Sequence, residues 1–425
     1  MISRSEALWP GLTASQHQGL AHLCADSAKG VRIQFADGSE CIDGKSGLWN
    51  VNLGYGNPVI ADAVGEALHR ASYLSVFRYE NTYAREAARA LLQVAGTQRY
   101  RRVIFSTSGS AANDLAMKLV RQYHEINLAP KRKVVLGLQG SYHGMTFGGM
   151  AITGEDLRQG LYGVDQRLVA HVPPNDLEAC SKAFERLGHR IAAVVVEPVL
   201  GNGAVCLDPD FLQLIFKARA EFGFLVVADE VATGFGRTGP MFATSPWHEA
   251  PDILILSKGL TNGTSAAAVV MVSTQVAAPF DQSPEMVFVH AETQAGTPPT
   301  AAAILATLTE FERLEAVRSG EKLSGLLDDL LSDLESSSTF VESTQGVGCF
   351  RSIRVCDEQG RIMPLAQVPE LVNVARAHGV IVHPSPNGVQ ILPALTMSDS
   401  DLRSLLGRIA TAIEAHMSRS GSGSL

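Results

Sequence analysis

The chain reads as an α/β protein in two parts, a large domain on a mixed, mainly parallel sheet and a smaller α/β domain towards the C-terminus. Three observations carry this reading. The runs Lys133 to Leu138, Ile191 to Val196, Phe224 to Ala228 and Ile253 to Leu256 are continuously apolar or nearly so, as strands buried on both faces are. An amphipathic helical stretch, Pro209 to Gly223, separates two of them, as a parallel crossover requires. The length of 425 residues also exceeds what one hydrophobic core supports, about 250 to 300 residues.

Two of these strands deliver opposite charges. Phe224 to Ala228 stops at Asp229-Glu230, and Ile253 to Leu256 leads into Ser257-Lys258-Gly259. In an α/β sheet this is the edge where ligands bind, and an unpaired buried charge there is costly. A pyridine cofactor placed between them accounts for both: Lys258 would bind the aldehyde of pyridoxal phosphate covalently, and Asp229 would keep the ring nitrogen protonated, which makes the ring an electron sink.

The residues Asp229-Glu230-Val231-Ala232-Thr233-Gly234-Phe235-Gly236-Arg237-Thr238-Gly239, followed by Ser257-Lys258-Gly259-Leu260, resemble the class III family of pyridoxal-phosphate-dependent aminotransferases, of fold type I. Gly234 to Gly239 also spells G-x-G-x-x-G. It lacks an adjoining strand, a following helix and a suitably placed acid, so a dinucleotide reading fails. Within the resemblance the domains fall at 1–50 (a segment packing with the small domain), 51–299 (cofactor-binding), 300–417 (small domain) and 418–425 (a linker-like tail).

Composition narrows the partners. A net charge of −8 offers no basic surface for nucleic acid or anionic lipid. The six cysteines form no C-x-x-C pair, so reduced thiols are expected instead of zinc or a disulfide framework. Met1 to Glu6 carries no signal-like apolar core, and no run of 18 apolar residues occurs; a cytoplasmic protein is expected.

In chain order, Val31 to Phe35 and Glu40 to Ile42 read as strands around the turn Ala36-Asp37-Gly38. Ser46 to Gly56 resembles the family's S-G-x-W-x-x-N-x-G-x-G, where Trp49 would wall the substrate pocket; an ordinary core tryptophan is the other reading. Asn57 and Pro58 start a helix to Ser72. Phe77 to Asn81 forms a loop whose place in the family is substrate-facing, with Phe77 the better candidate and Tyr79 the second, before a helix from Thr82 to Val94. Val103 to Phe105 then leads through Ser106-Thr107-Ser108-Gly109-Ser110 into a helix from Ala111 to His124. Small residues between a strand end and a helix start form an anion cup, and Ser108, Gly109 and Ser110 take the phosphate by resemblance.

After the strand ending at Leu138 comes Ser141-Tyr142-His143-Gly144, matching the family's Y-H-G. Tyr142 would stack on the pyridine with His143 beside it, and Val231 would cover the opposite face. Glu197-Pro198 resembles the family's E-P, with Glu197 supporting the site. Ala266 to Val272 is a further strand. His290 to Pro298 aligns with H-x-x-T-Y-x-G-N-P. The resemblance gives Thr293 the phosphate of a neighbouring subunit and so implies a homodimer with shared active sites; Gln294 replaces the tyrosine. A long helix from Thr300 leads to the small domain, with strands near Gly348 to Val355 and Val389 to Leu392.

Two departures from the family pattern concern the substrate. Gln390 stands where many members carry an arginine that grips an α-carboxylate, and Asn202 replaces the glutamate that masks that arginine. Loss of both predicts a neutral pocket unless another arginine, such as Arg78, compensates. The expected reaction is transfer of an amino group to a ketone or aldehyde without an adjacent carboxylate. Several stretches, among them Ser46 to Gly56 and His290 to Pro298, also resemble the aminotransferases of daptide-type ribosomal peptide pathways, which implies the C-terminal ketone of a modified precursor peptide as acceptor. Alternatives are an ω-amino acid or amine:pyruvate aminotransferase, or a racemase or lyase of the same fold.

Overall fold

The central sheet has seven strands in the order Tyr100–Ser106, Ala268–Ser273, Ile253–Leu256, Leu225–Asp229, Ile191–Val196, Val134–Leu138, Val169–Val172. These come from a computed structural model, which describes residues 7–14, 17–283 and 285–421; Met1 to Glu6 lie outside the described residues. Six strands run in one direction and Ala268–Ser273 opposes them, so the sheet is mixed.

Side chains alternate across a strand, and both faces here are covered. Along Leu225–Asp229, Leu225 and Val227 pack with Ala112, Leu115 and Val120 of the helix Gly109–Ile126. Val226 packs on the other side with Phe184, Phe211 and Ile215 of the helices Leu177–Leu187 and Pro209–Phe222. Each such aliphatic side chain contributes about 1.5–3 kcal/mol of burial. The six parallel strands therefore bring Ser106, Leu138, Val172, Val196, Asp229 and Leu256 to a common edge.

Capping sets the helices that feed this edge. Asn57 accepts the N–H of Ile60 at 3.1 Å with Pro58 in the first turn, and that helix ends at Arg70, two residues before the expected Ser72. Asn81 accepts the N–H of Ala84 at 2.8 Å. Ser108 accepts the N–H of Ala111 at 3.2 Å, so the helix starts at Gly109, two residues ahead of expectation.

The N-terminal strands Ala25–Lys29, Arg32–Phe35 and Glu40–Asp43 form a sheet completed by Val380–Ile381 from the C-terminal part of the chain. A further sheet takes Val341–Val347, Phe350–Val355, Gly388–Ile391 and His383–Ser385 in that order. The sequence reading misses the edge strands Ala25–Lys29 and Val341–Val347, whose mixed polarity hides them. The last helix, Asp399–Gly421, carries through Ser418, where a linker-like tail is expected; residues 422–425 lie outside the described residues. Among the described residues no helix is long and apolar enough to cross a membrane.

The stretch Gly234–Gly239 forms a run of turns, and no helix follows it to receive a dinucleotide. Its Arg237 is fully buried. The guanidinium donates to the carbonyls of Pro393 (2.5 Å) and Cys349 (3.3 Å) and to Asn52 Oδ1 (2.7 Å), so it joins the early, central and late parts of the chain. Desolvation brings its pKa down to about 10, and it stays charged near neutral pH. Arg237→Met should lower unfolding stability by about 1–3 kcal/mol through the buried oxygens it leaves without a donor, measured by urea titration. Arg237→Lys should lose less, because it keeps the charge.

Candidate active site

A cavity of about 250 Å³ opens at the C-terminal edge of the sheet, walled by Trp49, Ser108, Gly109, Ser110, Tyr142, His143, Glu197, Asp229, Val231 and Lys258 among others. A larger surface groove of about 690 Å³ lies between the helices Thr82–Ala95, Pro298–Arg313 and Ala316–Ser337, but it gathers none of these groups. Chemistry, and not volume, marks the site.

Asp229 is buried at the end of its strand. Burial alone would raise its pKa, but hydrogen bonds from His143 and Asn113, the His143 charge and the N–H of Val231 hold it below the usual carboxylate range. Oδ2 accepts from His143 Nδ1 and Asn113 Nδ2, both at 2.8 Å, and Oδ1 from Val231 N at 3.0 Å. Burial lowers the His143 pKa, while the contact with Asp229 raises it beyond that loss. His143 lines the cavity beside Tyr142 and also backs the aspartate, a contact the sequence did not reveal. Asn113, which also donates to Gly109 O at 3.1 Å, is a site residue that sequence reasoning missed; its place in the first turns of the helix behind the anion cup was the available signal.

Lys258 opens a short 3₁₀ turn with φ +46°. This left-handed conformation is strained for a side-chain-bearing residue and tends to mark functional positions. Its Nζ sits 4.3 Å from the centroid of the Trp49 ring. Burial brings the ammonium down to about 8, against the pull of Asp229 and Glu197, and Arg237 adds to the drop. A lysine so shifted is available as a free amine.

The anion cup lies opposite. Ser108 caps an 18-residue helix, whose first N–H groups and dipole favour an anion. A Cβ on Gly109 would come within 3.1 Å of Val231, and one on Gly144, at φ +112°, within 1.9 Å of Ser110 Oγ. Backbone thus approaches where a side chain could not. Glu292 accepts from Ser106 Oγ (2.5 Å) and Thr107 N (2.9 Å) and ties the His290–Pro298 segment to the cup, a link the sequence did not reveal. Glu197 accepts the N–H groups of Tyr142 (2.8 Å) and Gly201 (3.1 Å); burial pushes its pKa up to about 7, with His143 and these bonds opposing.

These residues fit pyridoxal phosphate. An ionised carboxylate suits a protonated ring nitrogen, a depressed lysine suits an aldehyde, a helix start suits a phosphate, and Tyr142 and Val231 offer walls for a flat ring. Trp49 borders the cavity, with the His383 ring edge-on to it at 4.9 Å. Three other candidates are not brought in. Phe77 (50% exposed) and Tyr79 (76%) border a separate cavity with Val103, Phe105 and Glu292, and Thr293 is exposed. Gln390 is buried, with Nε2 donating to Gly201 O at 2.8 Å.

Comparison with known proteins agrees with this chemistry. The family description "Aminotransferase class-III" matches residues 13–413. The chain is 32% identical to an adenosylmethionine-8-amino-7-oxononanoate aminotransferase of Nitratidesulfovibrio vulgaris, over 94% of this chain and 78% of that one. It superposes on a transaminase from a marine Virgibacillus with TM-score 0.92 at 25% identity, covering 97% and 98% of the two chains. An amine transaminase from an uncultivated Pseudomonas species, solved in its PLP-bound form, gives 0.89 at 27% identity, covering 98% and 99%. A family match across most of its length and a catalytic edge built to hold pyridoxal phosphate make this chain a member of the class III aminotransferases.

Proposed function

We propose that this aminotransferase moves an amino group from an amine donor to a ketone or aldehyde whose reacting carbon bears no carboxylate. The observation that carries the reading is Gln390, 1% exposed and tied to Gly201 O where a carboxylate-gripping arginine would otherwise stand. No arginine is among the described residues lining the cavity. Arg237 is spent on carbonyl and amide oxygens. Arg78 lies on the exposed loop, 5.9 Å from the Phe77 ring centroid. The wording of the stretches noted above supports the C-terminal ketone of a modified peptide as one such acceptor. The likeness to an amine transaminase supports a second reading, an amine or ω-amino acid donor paired with pyruvate.

When bound, pyridoxal phosphate supplies the carbonyl that carries the amino group and the ring that accepts an electron pair from the substrate carbon. Lys258 Nζ, whose pKa is brought down to about 8, takes the proton from that carbon in its amine form and returns it on the cofactor side. Asp229, fixed by His143 and Asn113, holds the ring-nitrogen proton. The N–H groups at Gly109 and Ser110 bind the phosphate, while Tyr142 and Val231 keep water from the two ring faces. Exposure of Phe77, Tyr79 and Thr293 away from their own cavity supports a homodimer in which they serve the second copy's site.

Three measurements test this. Acceptor pairs differing only in the adjacent carboxylate should show kcat/KM values within about tenfold of one another; a preference above about a hundredfold for the keto acid, roughly 2.7 kcal/mol of recognition, would overturn the neutral-pocket reading. Lys258→Ala should cut conversion of bound cofactor to its amine form by at least about 10²–10⁴-fold, followed by absorbance. Uptake of pyridoxal phosphate by the cofactor-free protein should accelerate as pH rises and level off above about 8, where Lys258 has lost its proton. An unshifted lysine would keep accelerating to about pH 10.

A further inference from the structure

Resting on the role given to Lys258 above, we propose that Trp49 is a positioning residue: its indole face receives the protonated amine of Lys258 and holds the lysine in place between taking a proton and returning it. Both side chains line the same cavity, and Lys258 Nζ lies over the Trp49 ring, 4.3 Å from its centroid. That is well inside the reach of a cation–π contact, about 6 Å. Among the described residues the amine has no hydrogen bond or ion pair, so the ring stands where those partners would.

The ring is clamped in this position. Phe350 and His383, from two strands of the C-terminal sheet, pack against it with centroids at 5.3 and 4.9 Å, and a Cβ on Gly201 would come within 3.2 Å of its Cζ3. The backbone beneath is left-handed at Ser46 (φ +50°) and at Trp49 itself (φ +65°). It is tied down by Ser46 Oγ donating to Leu392 O at 2.6 Å and by the Trp49 N–H donating to Lys45 O at 2.9 Å. Such conformations persist where the surroundings fix them, and they gather at working sites. The residue type points the same way. Trp49 Nε1 is buried and has no hydrogen-bond partner among the described residues, a cost that phenylalanine would avoid. What the indole adds over a phenyl ring is a stronger face for a cation.

Attraction to the ring favours the ammonium and so raises the pKa of Lys258; draining the ring lowers it. The charges acting beside it are Asp229 and Glu197, which favour the ammonium, and Arg237, which opposes it. His143 lines the same cavity, and burial brings His383 down to about 3, so that ring stays neutral between pH 6 and 10, roughly the range in which a lysine shifted from its ordinary value titrates. The test replaces Trp49 in the full-length protein by tryptophans carrying one, two or three ring fluorines, which keep the shape of the indole and drain its face. Uptake of pyridoxal phosphate by the cofactor-free protein, followed by absorbance against pH, and competitive acetylation of Lys258, read by mass spectrometry, each report the midpoint of the lysine. It should fall stepwise with each fluorine, by about one pH unit in all, the scale of a desolvated cation–π contact. A midpoint that stays put or rises across the series, or an equal loss of uptake at every pH, overturns the role of Trp49 and leaves the functional reading intact. Lys258→Ala protein that takes up and converts the cofactor as fast as wild type overturns both.

Discussion

The structure depends on keeping one carboxylate ionised inside the protein. Asp229 sits at the end of a strand buried along its whole length, where desolvation works against its charge. Three donors, from His143, Asn113 and the Val231 backbone, offset that cost. Each comes from a different piece of the fold: the turn after one strand, the helix after another, and the chain just beyond Asp229 itself. The sheet order brings them together, since the strands preceding His143 and Asn113 end on the same edge.

Lys258 meets the opposite demand. It lies in the same desolvated cleft, but no hydrogen bond or ion pair holds its proton among the described residues, so desolvation frees its amine. A fixed anion and a releasable cation at the ends of neighbouring parallel strands amount to an acid and a base whose pKa values are driven apart by environment, the arrangement acid–base chemistry needs. Arg237 and Glu230 serve the frame around this pair. Glu230, next to Asp229, turns inward and accepts the N–H groups of Ala243 and Thr244 at 2.7 and 2.8 Å, anchoring the loop that follows the catalytic strand.

Much of this was legible in the residues. The continuous apolar runs marked the central strands because strands buried on both faces lose the polar alternation that would disguise them. Asp229 and Lys258 stood out because charges at the ends of such runs are uncommon. The cup at Ser108–Ser110 was legible from its small residues, although a plain helix cap has the same composition. The loop Phe77–Asn81 was not: aromatic side chains in a polar loop suggest contact with something, and spacing along the chain does not say whether that partner is the chain's own cavity. His143 was read only as a neighbour of Tyr142, and its contact with Asp229, 86 positions on, was not legible from sequence spacing.

The sequence by itself determined the sheet core, the acid and the lysine at its edge, the helix start that favours an anion, and the absence of an arginine at position 390, since each is written in local pattern or residue type. Only the tertiary structure decided which groups hold Asp229 ionised, that Glu292 braces the anion cup, and that Gln390 is spent on Gly201. Hydrogen bonds and desolvation act between residues far apart in the chain, and their energies exist only once the fold has removed water and fixed the distances.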